Sequence, residues 1–336
     1  MTRILIDVAV EEAALMALRG IPDVDVRVIP FAETARKLPR DVVEDVDVLF
    51  CTHPPSNFED MKSVRWIQIA SSGYTQLFPF DLPAHHVRAT NARGCFDVPI
   101  AEWNIAMMIN LIRDVPKMLR NQHVHTWERV VRFTQEVRGA TLGLWGYGGL
   151  GRETARLAKL MGMRVHVLAR RGVHPAPDVY RVPGTGDPEG ILPDRVFTVG
   201  QEQQFLSELD FLVLAMPLTP LTEGLIGEKE LQALPRSAFV LNPARGTIIQ
   251  EQALLRAIRE GWIAGAALDT HYHYPMPPEH SLWDFPNVIL TPHISGTSLP
   301  PIYLTRIWDL FLENVLRFQR GDVLLNELTS DQLNGG

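Results

Sequence analysis

Thr141-Leu-Gly-Leu-Trp-Gly146-Tyr147-Gly148-Gly149-Leu150-Gly151-Arg152 reads as a short apolar strand, a glycine-rich turn and the start of a helix. Gly146, Gly148 and Gly151 stand in the G-x-G-x-x-G spacing. The first glycine permits a tight turn, the second lets a pyrophosphate approach the backbone, and the third lets helix and strand pack closely. The helix start adds unsatisfied N–H groups and a partial positive charge. Glycine turns are common, so the flanks carry the reading. Arg152 to Met161 has helical periodicity, and Arg164-Val-His-Val-Leu168 follows as a buried strand. The stretch Gly146, Tyr147, Gly148, Gly149, Leu150, Gly151 is therefore the candidate dinucleotide-binding turn.

Outward from the turn, strand–helix units repeat. Phe211–Ala215, Ala238–Leu241, Gly265–Leu268 and Val288–Leu290 are further strands, with helices at Glu228–Ala233 and Gln250–Glu260. This is the alternation of a parallel, doubly wound α/β sheet. Before it, residues 1–90 form a smaller α/β unit. Ile4–Val8, Val24–Val28, Val48–Cys51 and Trp66–Ala70 are its strands, and Glu11–Leu18 is helical. Asn91–Pro99 reads as a crossing segment. A long, mostly apolar helix then starts at Ala101 and runs to about Arg120, apolar enough to need burial on more than one side. Pro300–Gly321 is an amphipathic helix that returns to the first domain. The expected division is 1–98 plus 297–336, discontinuous, and 99–296. Gly172 to Gly200 carries five prolines, far longer than the ~2–6 residues of an ordinary link. It reads as a surface insertion, with a flap over the adenosine end of a cofactor or a subunit contact as alternatives.

At 336 residues the chain has room for two domains. A net charge of −7 argues against nucleic-acid and anionic-membrane partners. Cys51 and Cys95 are the only cysteines, too few for a disulfide framework, so a reduced, cytoplasmic setting is expected. The N-terminus reads as a first strand, not a signal peptide, and no apolar run approaches the ~20 residues of a membrane span.

Taken together, several stretches resemble the D-isomer-specific 2-hydroxyacid dehydrogenases over nearly the whole chain. They are Ser72-Gly73, Ala101-Glu102, the glycine turn, Pro217-Leu-Thr-Pro-Leu-Thr222, Leu241-Asn-Pro-Ala-Arg-Gly-Thr247, Gly265-Ala-Ala-Leu-Asp269 and Leu290-Thr-Pro-His-Ile294. The resemblance is closest to the NADP-type glyoxylate/hydroxypyruvate reductases. It implies two Rossmann-like domains with the active site in the interdomain cleft, and a homodimer joined through the cofactor-binding domain. It implies hydride transfer between a nicotinamide cofactor and a small 2-oxo or 2-hydroxy acid. Arg245 matches the substrate arginine, whose planar fork suits a carboxylate and can polarise the neighbouring carbonyl. His293 matches the catalytic acid/base, with a pKa suited to exchanging a proton with an alcohol or ketone. Ser72 and Gly73 match the loop whose backbone receives the substrate carboxylate, and His53 could reach the substrate. Asp269 matches the residue that addresses the nicotinamide amide. Pro217, Thr222, Asn242, Pro243, Ala244 and Gly296 match the cofactor's surroundings.

Two departures stand out. The family's glutamate partner of the histidine is replaced by Tyr274, which gives the imidazole no opposite charge. Tyr274 as a neutral orienting partner, Glu279 folding back, and loss of efficient turnover are the competing readings. The second departure is Leu168-Ala169-Arg170-Arg171 at the end of the second strand. An NAD site usually places Asp or Glu there for the ribose hydroxyls. Arg170 and Arg171 could instead hold a 2′-phosphate, so NADP is favoured and NAD remains possible. No metal is expected, because the His271/His273/His280 neighbourhood lacks further ligands. The alternative to an enzyme is a nicotinamide-sensing binding protein with little or no turnover.

Overall fold

The computed structural model describes residues 1–129, 135–299 and 301–335. The chain divides into two compact units. Unit 1 comprises Met1–Phe96, Asp178–Val182 and Thr297–Gly336; unit 2 comprises Asp97–Pro177 and Pro183–Gly296.

In unit 1 five parallel strands, β1 (Thr2–Asp7), β2 (Val24–Val28), β3 (Val48–Cys51), β4 (Trp66–Ile69) and β5 (Arg88–Thr90), lie in the order β2-β1-β3-β4-β5. β3 and β4 are buried at every position, as expected of a parallel sheet covered on both faces. β5 is not evident in the sequence. It is three residues long and is pinned by a two-pronged Arg88–Glu327 pair, Nε to Oε1 at 2.8 Å and Nη2 to Oε2 at 2.7 Å. Helices α1 (Glu12–Arg19), α2 (Arg40–Val43), α9 (Ile302–Arg320) and α10 (Ser330–Leu333) complete the unit. α9 is the amphipathic helix expected near the C-terminus; Pro300, its expected first residue, lies outside the described residues. Its apolar face stacks Phe311 on Phe50 at 4.1 Å between ring centres, and Trp308 Nε1 donates to Ala9 O at 2.9 Å. Asp178–Val182 is tied into this unit through Asn326, whose Oδ1 accepts from Tyr180 N at 3.0 Å.

In unit 2 seven parallel strands, β6 (Thr141–Trp145), β7 (Arg164–Leu168), β8 (Arg195–Phe197), β9 (Phe211–Leu214), β10 (Phe239–Asn242), β11 (Gly265–Leu268) and β12 (Val288–Leu290), lie in the order β12-β11-β10-β9-β6-β7-β8. The order reverses at β6, the topological switch point where open α/β sheets bind ligands. The helices are α3 (Asp97–Ile112), α4 (Val115–His123), α5 (Gly149–Leu160), α6 (Glu202–Leu206), α7 (Glu228–Ala233) and α8 (Glu251–Arg259). The single long helix expected through Arg120 is instead two. It breaks at Asp114, which adopts φ 50, just before Pro116 in the first turn of α4. A proline there has no N–H for the preceding turn and its ring clashes with it. The proline-rich stretch also differs from expectation, since it contains β8, which pairs with β7 at the sheet edge.

Candidate active site

The glycine turn joins β6 to α5 at the switch point. Gly146 has φ 102, and its N–H donates to Leu168 O at 2.9 Å. A Cβ there would sit 2.5 Å from Ala215 O, so both conformation and space require glycine. At Gly148 a Cβ would meet nothing within 4 Å. This open backbone face, at the start of α5, is where a dinucleotide phosphate can approach, and the residues present fit such a group. Gly149 faces the other way, with the Asp97 carboxylate 1.9 Å from where its Cβ would be. Tyr147 is buried within the turn. Arg170 and Arg171 follow β7 and are exposed. Among the described residues Arg170 has no ion-pair or hydrogen-bond partner.

Further along the same strand ends, Arg245 follows β10. Asn242 frames the loop, its Nδ2 donating to Arg245 O at 2.8 Å and its Oδ1 accepting from Ala244 N at 3.1 Å. Arg245 Nη1 donates to Ala244 O at 2.7 Å. Burial disfavours its charged form and the nearby Tyr274 phenol partly offsets this. A guanidinium nonetheless stays protonated. Among the described residues no carboxylate pairs with Arg245. A partly buried guanidinium without an anion is an incomplete arrangement, because a charge removed from water needs a partner.

His293 follows β12 with φ 58, a left-handed conformation uncommon for a residue with a Cβ. What holds it there is Asp269, at the end of β11. This carboxylate is fully buried and accepts four hydrogen bonds: from Thr291 Oγ1 at 2.6 Å, Ile294 N at 2.9 Å, Ser295 N at 3.0 Å and Ser295 Oγ at 2.5 Å. The resemblance gave Asp269 to the nicotinamide amide. In the fold its carboxylate also holds the histidine loop, a positioning role that sequence spacing cannot display.

The crowding of the His293 ring by surrounding protein, then Arg245 and His271, hold its pKa below the ordinary value, while Asp269 pulls the other way. Tyr274 lies beside it, with ring centres 5.6 Å apart. The Tyr274 hydroxyl accepts from His271 N at 3.1 Å, and so it supports the loop while its ring contacts the imidazole. Among the described residues the phenol makes no hydrogen bond to the imidazole, so Tyr274 neighbours His293 through its ring. Glu279 is exposed and makes no bond to the imidazole, so it does not replace the missing glutamate. His271 Nε2 bonds Thr291 O at 2.7 Å, which leaves Nδ1 buried without a partner.

The remaining candidate residues are divided between the two units. Thr222 Oγ1 accepts from Thr219 N at 2.8 Å and donates to Pro217 O at 2.7 Å, closing a tight turn after β9. Pro243 and Ala244 lie in the Asn242 loop, and Gly296 follows the Asp269-bound Ser295. In unit 1, Ser72 Oγ donates to Ala92 O at 3.2 Å and Asn91 Nδ2 to Ser72 O at 2.7 Å. The backbone N–H groups of Ser72 and Gly73 have no acceptor among the described residues. His53 Nδ1 is buried and unpartnered. Among the described residues one group is of metal-ligating type, Glu251, His273 and His280, with donor atoms within 4.8 Å of one another. His280 Nδ1 accepts from Leu282 N at 3.2 Å, which leaves the proton on Nε2. That Nε2 then donates to Glu251 Oε1 at 2.7 Å, so the pair is a hydrogen bond, not a lone pair offered to a cation.

A glycine turn at the switch point of a seven-stranded parallel sheet, with an anion-seeking arginine and a loop histidine on later strand ends, defines a nicotinamide-dependent oxidoreductase of small acids. The family model for the D-isomer specific 2-hydroxyacid dehydrogenase NAD binding domain matches residues 105–295, and the chain belongs to that family. A glyoxylate reductase of Aeropyrum pernix is 33% identical over 246 residues, covering 70% of this chain and 68% of that one. A glyoxylate reductase of Korarchaeum cryptofilum is 29% identical over 303 residues, covering 87% and 85%. The crystal structure of a D-isomer specific 2-hydroxyacid dehydrogenase from Xanthobacter autotrophicus, in complex with NADPH and MES, superposes with a TM-score of 0.79 at 25% identity, covering 98% and 99%. The protein is an oxidoreductase that moves a hydride between a nicotinamide cofactor and a small 2-oxo or 2-hydroxy acid.

Proposed function

We propose that the protein is an NADPH-preferring reductase of small 2-oxo acids of the glyoxylate and hydroxypyruvate type. The observation that carries this reading is Arg245, a partly buried guanidinium without an acidic partner, whose charge acts on His293. The substrate carboxylate would complete Arg245, and the same fork would polarise the adjacent carbonyl. A reduced nicotinamide held at the glycine turn would supply the hydride for the carbonyl carbon. His293 donates the proton to the carbonyl oxygen, and takes it back in the oxidation direction. To Ser72 and Gly73 we assign a share of the substrate carboxylate through their free N–H groups. His53 is assigned a contact with the rest of the substrate.

NADPH is favoured because no carboxylate ends β7 and Arg170 is left without a partner. We further propose a homodimer through unit 2. α4 and the segment after it expose Met118, Leu119 and Trp127, the last at 92%, which is a large apolar surface to leave in water. The free thiols of Cys51 and Cys95 agree with a cytoplasmic setting, and no helix among the described residues is long and apolar enough to cross a membrane. A nicotinamide sensor would have no use for an unpaired arginine beside a loop histidine. The test is steady-state oxidation of NADPH and NADH with a panel of 2-oxo acids. Turnover of glyoxylate or hydroxypyruvate, with higher kcat/KM for NADPH, is expected. Tight cofactor binding with no turnover of any acid would overturn the proposal.

A further inference from the structure

The segment between β7 and β8 is folded onto the glycine turn. Asp187 is 3% exposed, a cost for a carboxylate that only hydrogen bonds can offset. Its Oδ2 accepts from Tyr147 Oη at 2.6 Å and Leu192 N at 3.0 Å, and its Oδ1 from Ile191 N at 3.1 Å. Tyr147 is the residue between Gly146 and Gly148. Burial first, and then the Asp187 bond, push its phenol pKa up, so the hydroxyl is a permanent donor. Arg152, the residue after Gly151, lies over the Tyr147 ring at 4.9 Å and donates to the backbone oxygens of Asp187 and His174. Next to it Glu153, 1% exposed and paired with Arg156, accepts from Gly186 N at 2.6 Å. Three residues of the turn and first helical turn, Tyr147, Arg152 and Glu153, are therefore bolted to this one segment.

We propose that Asp187 is a positioning residue for the nicotinamide dinucleotide, which holds the phosphate-binding turn in its binding conformation through the Tyr147 hydroxyl. The argument is preorganisation. Gly146 and Gly148 make the turn able to accept a phosphate, but glycine also leaves its backbone free to adopt other conformations. A turn fixed before binding loses less freedom when the phosphate arrives. Fixing the one side chain between the two glycines fixes the backbone on both sides of it. The insertion is thus a part of the cofactor site, although none of its side chains need touch the cofactor. This rests on the reading that the glycine turn binds the dinucleotide.

The experiment is calorimetric titration of NADPH into wild type, Tyr147→Phe, Asp187→Asn and the double variant, with kcat and both KM values alongside. Tyr147→Phe removes only a hydroxyl and leaves Asp187 its two backbone donors, so it should fold even if Asp187→Asn does not. Loss of a hydrogen bond to a charged group should raise Kd and KM for NADPH about tenfold in each single variant. The double variant should be no worse than either single one, since both break the same link. kcat at saturating NADPH and KM for the 2-oxo acid should stay within about twofold of wild type. Lower Tm with an unchanged NADPH Kd in Tyr147→Phe, or additive losses in the double variant, would overturn the proposal. A wild type that binds neither NADPH nor NADH would overturn the assignment of the turn itself.

Discussion

Replacing Arg245 with glutamine removes a guanidinium that has no anion of its own among the described residues. Removing one partner of a buried, hydrogen-bonded charge pair costs about 2–5 kcal/mol, most of it the penalty on the partner left unpaired. Arg245 is only partly buried, so the lower half of that range applies, a fall in kcat/KM for a 2-oxo acid of roughly 30- to 300-fold. A second effect separates this account from simple disruption. Arg245 is one of the causes that hold the His293 pKa down. Taking its charge away should let His293 stay protonated to higher pH, so the high-pH limb of reduction should move upward. Lysine at 245 keeps the charge but not the fork. It should lose about tenfold in kcat/KM with the limb in its original place. The assay is kcat/KM against pH for the three proteins at saturating NADPH. A glutamine variant losing less than about fivefold, or lysine and glutamine variants shifting the limb alike, would refute the reasoning.

Replacing Arg170 and Arg171 together by alanine should raise KM for NADPH by about tenfold while leaving NADH nearly unchanged, because only the 2′-phosphate needs a cation there. Equal losses for both cofactors would count against that role. Stability should fall below neutral pH. His166 and His293 both have pKa values lowered from 6.5 in the fold, mainly by desolvation. Below that value the unfolded chain takes up protons that the folded one refuses until their depressed values are reached. The contribution is complete above pH 6.5 and is lost as pH falls, and a Tm that stays flat between about pH 7 and pH 5.5 would contradict it.

The glycine turn and the long apolar strands are legible because their signals are local. Spacing of three glycines, and runs such as Phe211–Leu214 buried at every position, announce themselves in the sequence. What the sequence hides are the features made by distant residues. β5 and β8 are three residues each and open on an arginine, so no apolar run marks them as it marks the equally short β12, and pairing with neighbouring strands defines them. The break before α4 is signalled by Pro116, which reading the apolar run alone passes over. Among the candidate site residues, Arg245 and His293 could be picked out by resemblance. That Arg245 lacks a carboxylate, and that Asp269 serves the histidine loop, depend on which groups the fold brings within 3 Å. The bond from Tyr147 to Asp187, 40 residues apart, is of the same kind.

In the proposed reaction His293 moves the proton with no carboxylate partner among the described residues, and Tyr274 lies beside it. The measurement that tests this central claim most directly is the pH dependence of kcat/KM for 2-oxo acid reduction in wild type and Tyr274→Glu, side by side. The rings lie 5.6 Å apart, close enough for a new carboxylate to favour the imidazolium by about one pH unit or more. The account predicts that the wild-type rate falls at lower pH, below the ordinary histidine range, and that the glutamate variant moves this limb upward by about that amount. Superimposable limbs, or a wild-type limb above that of the variant, would contradict it.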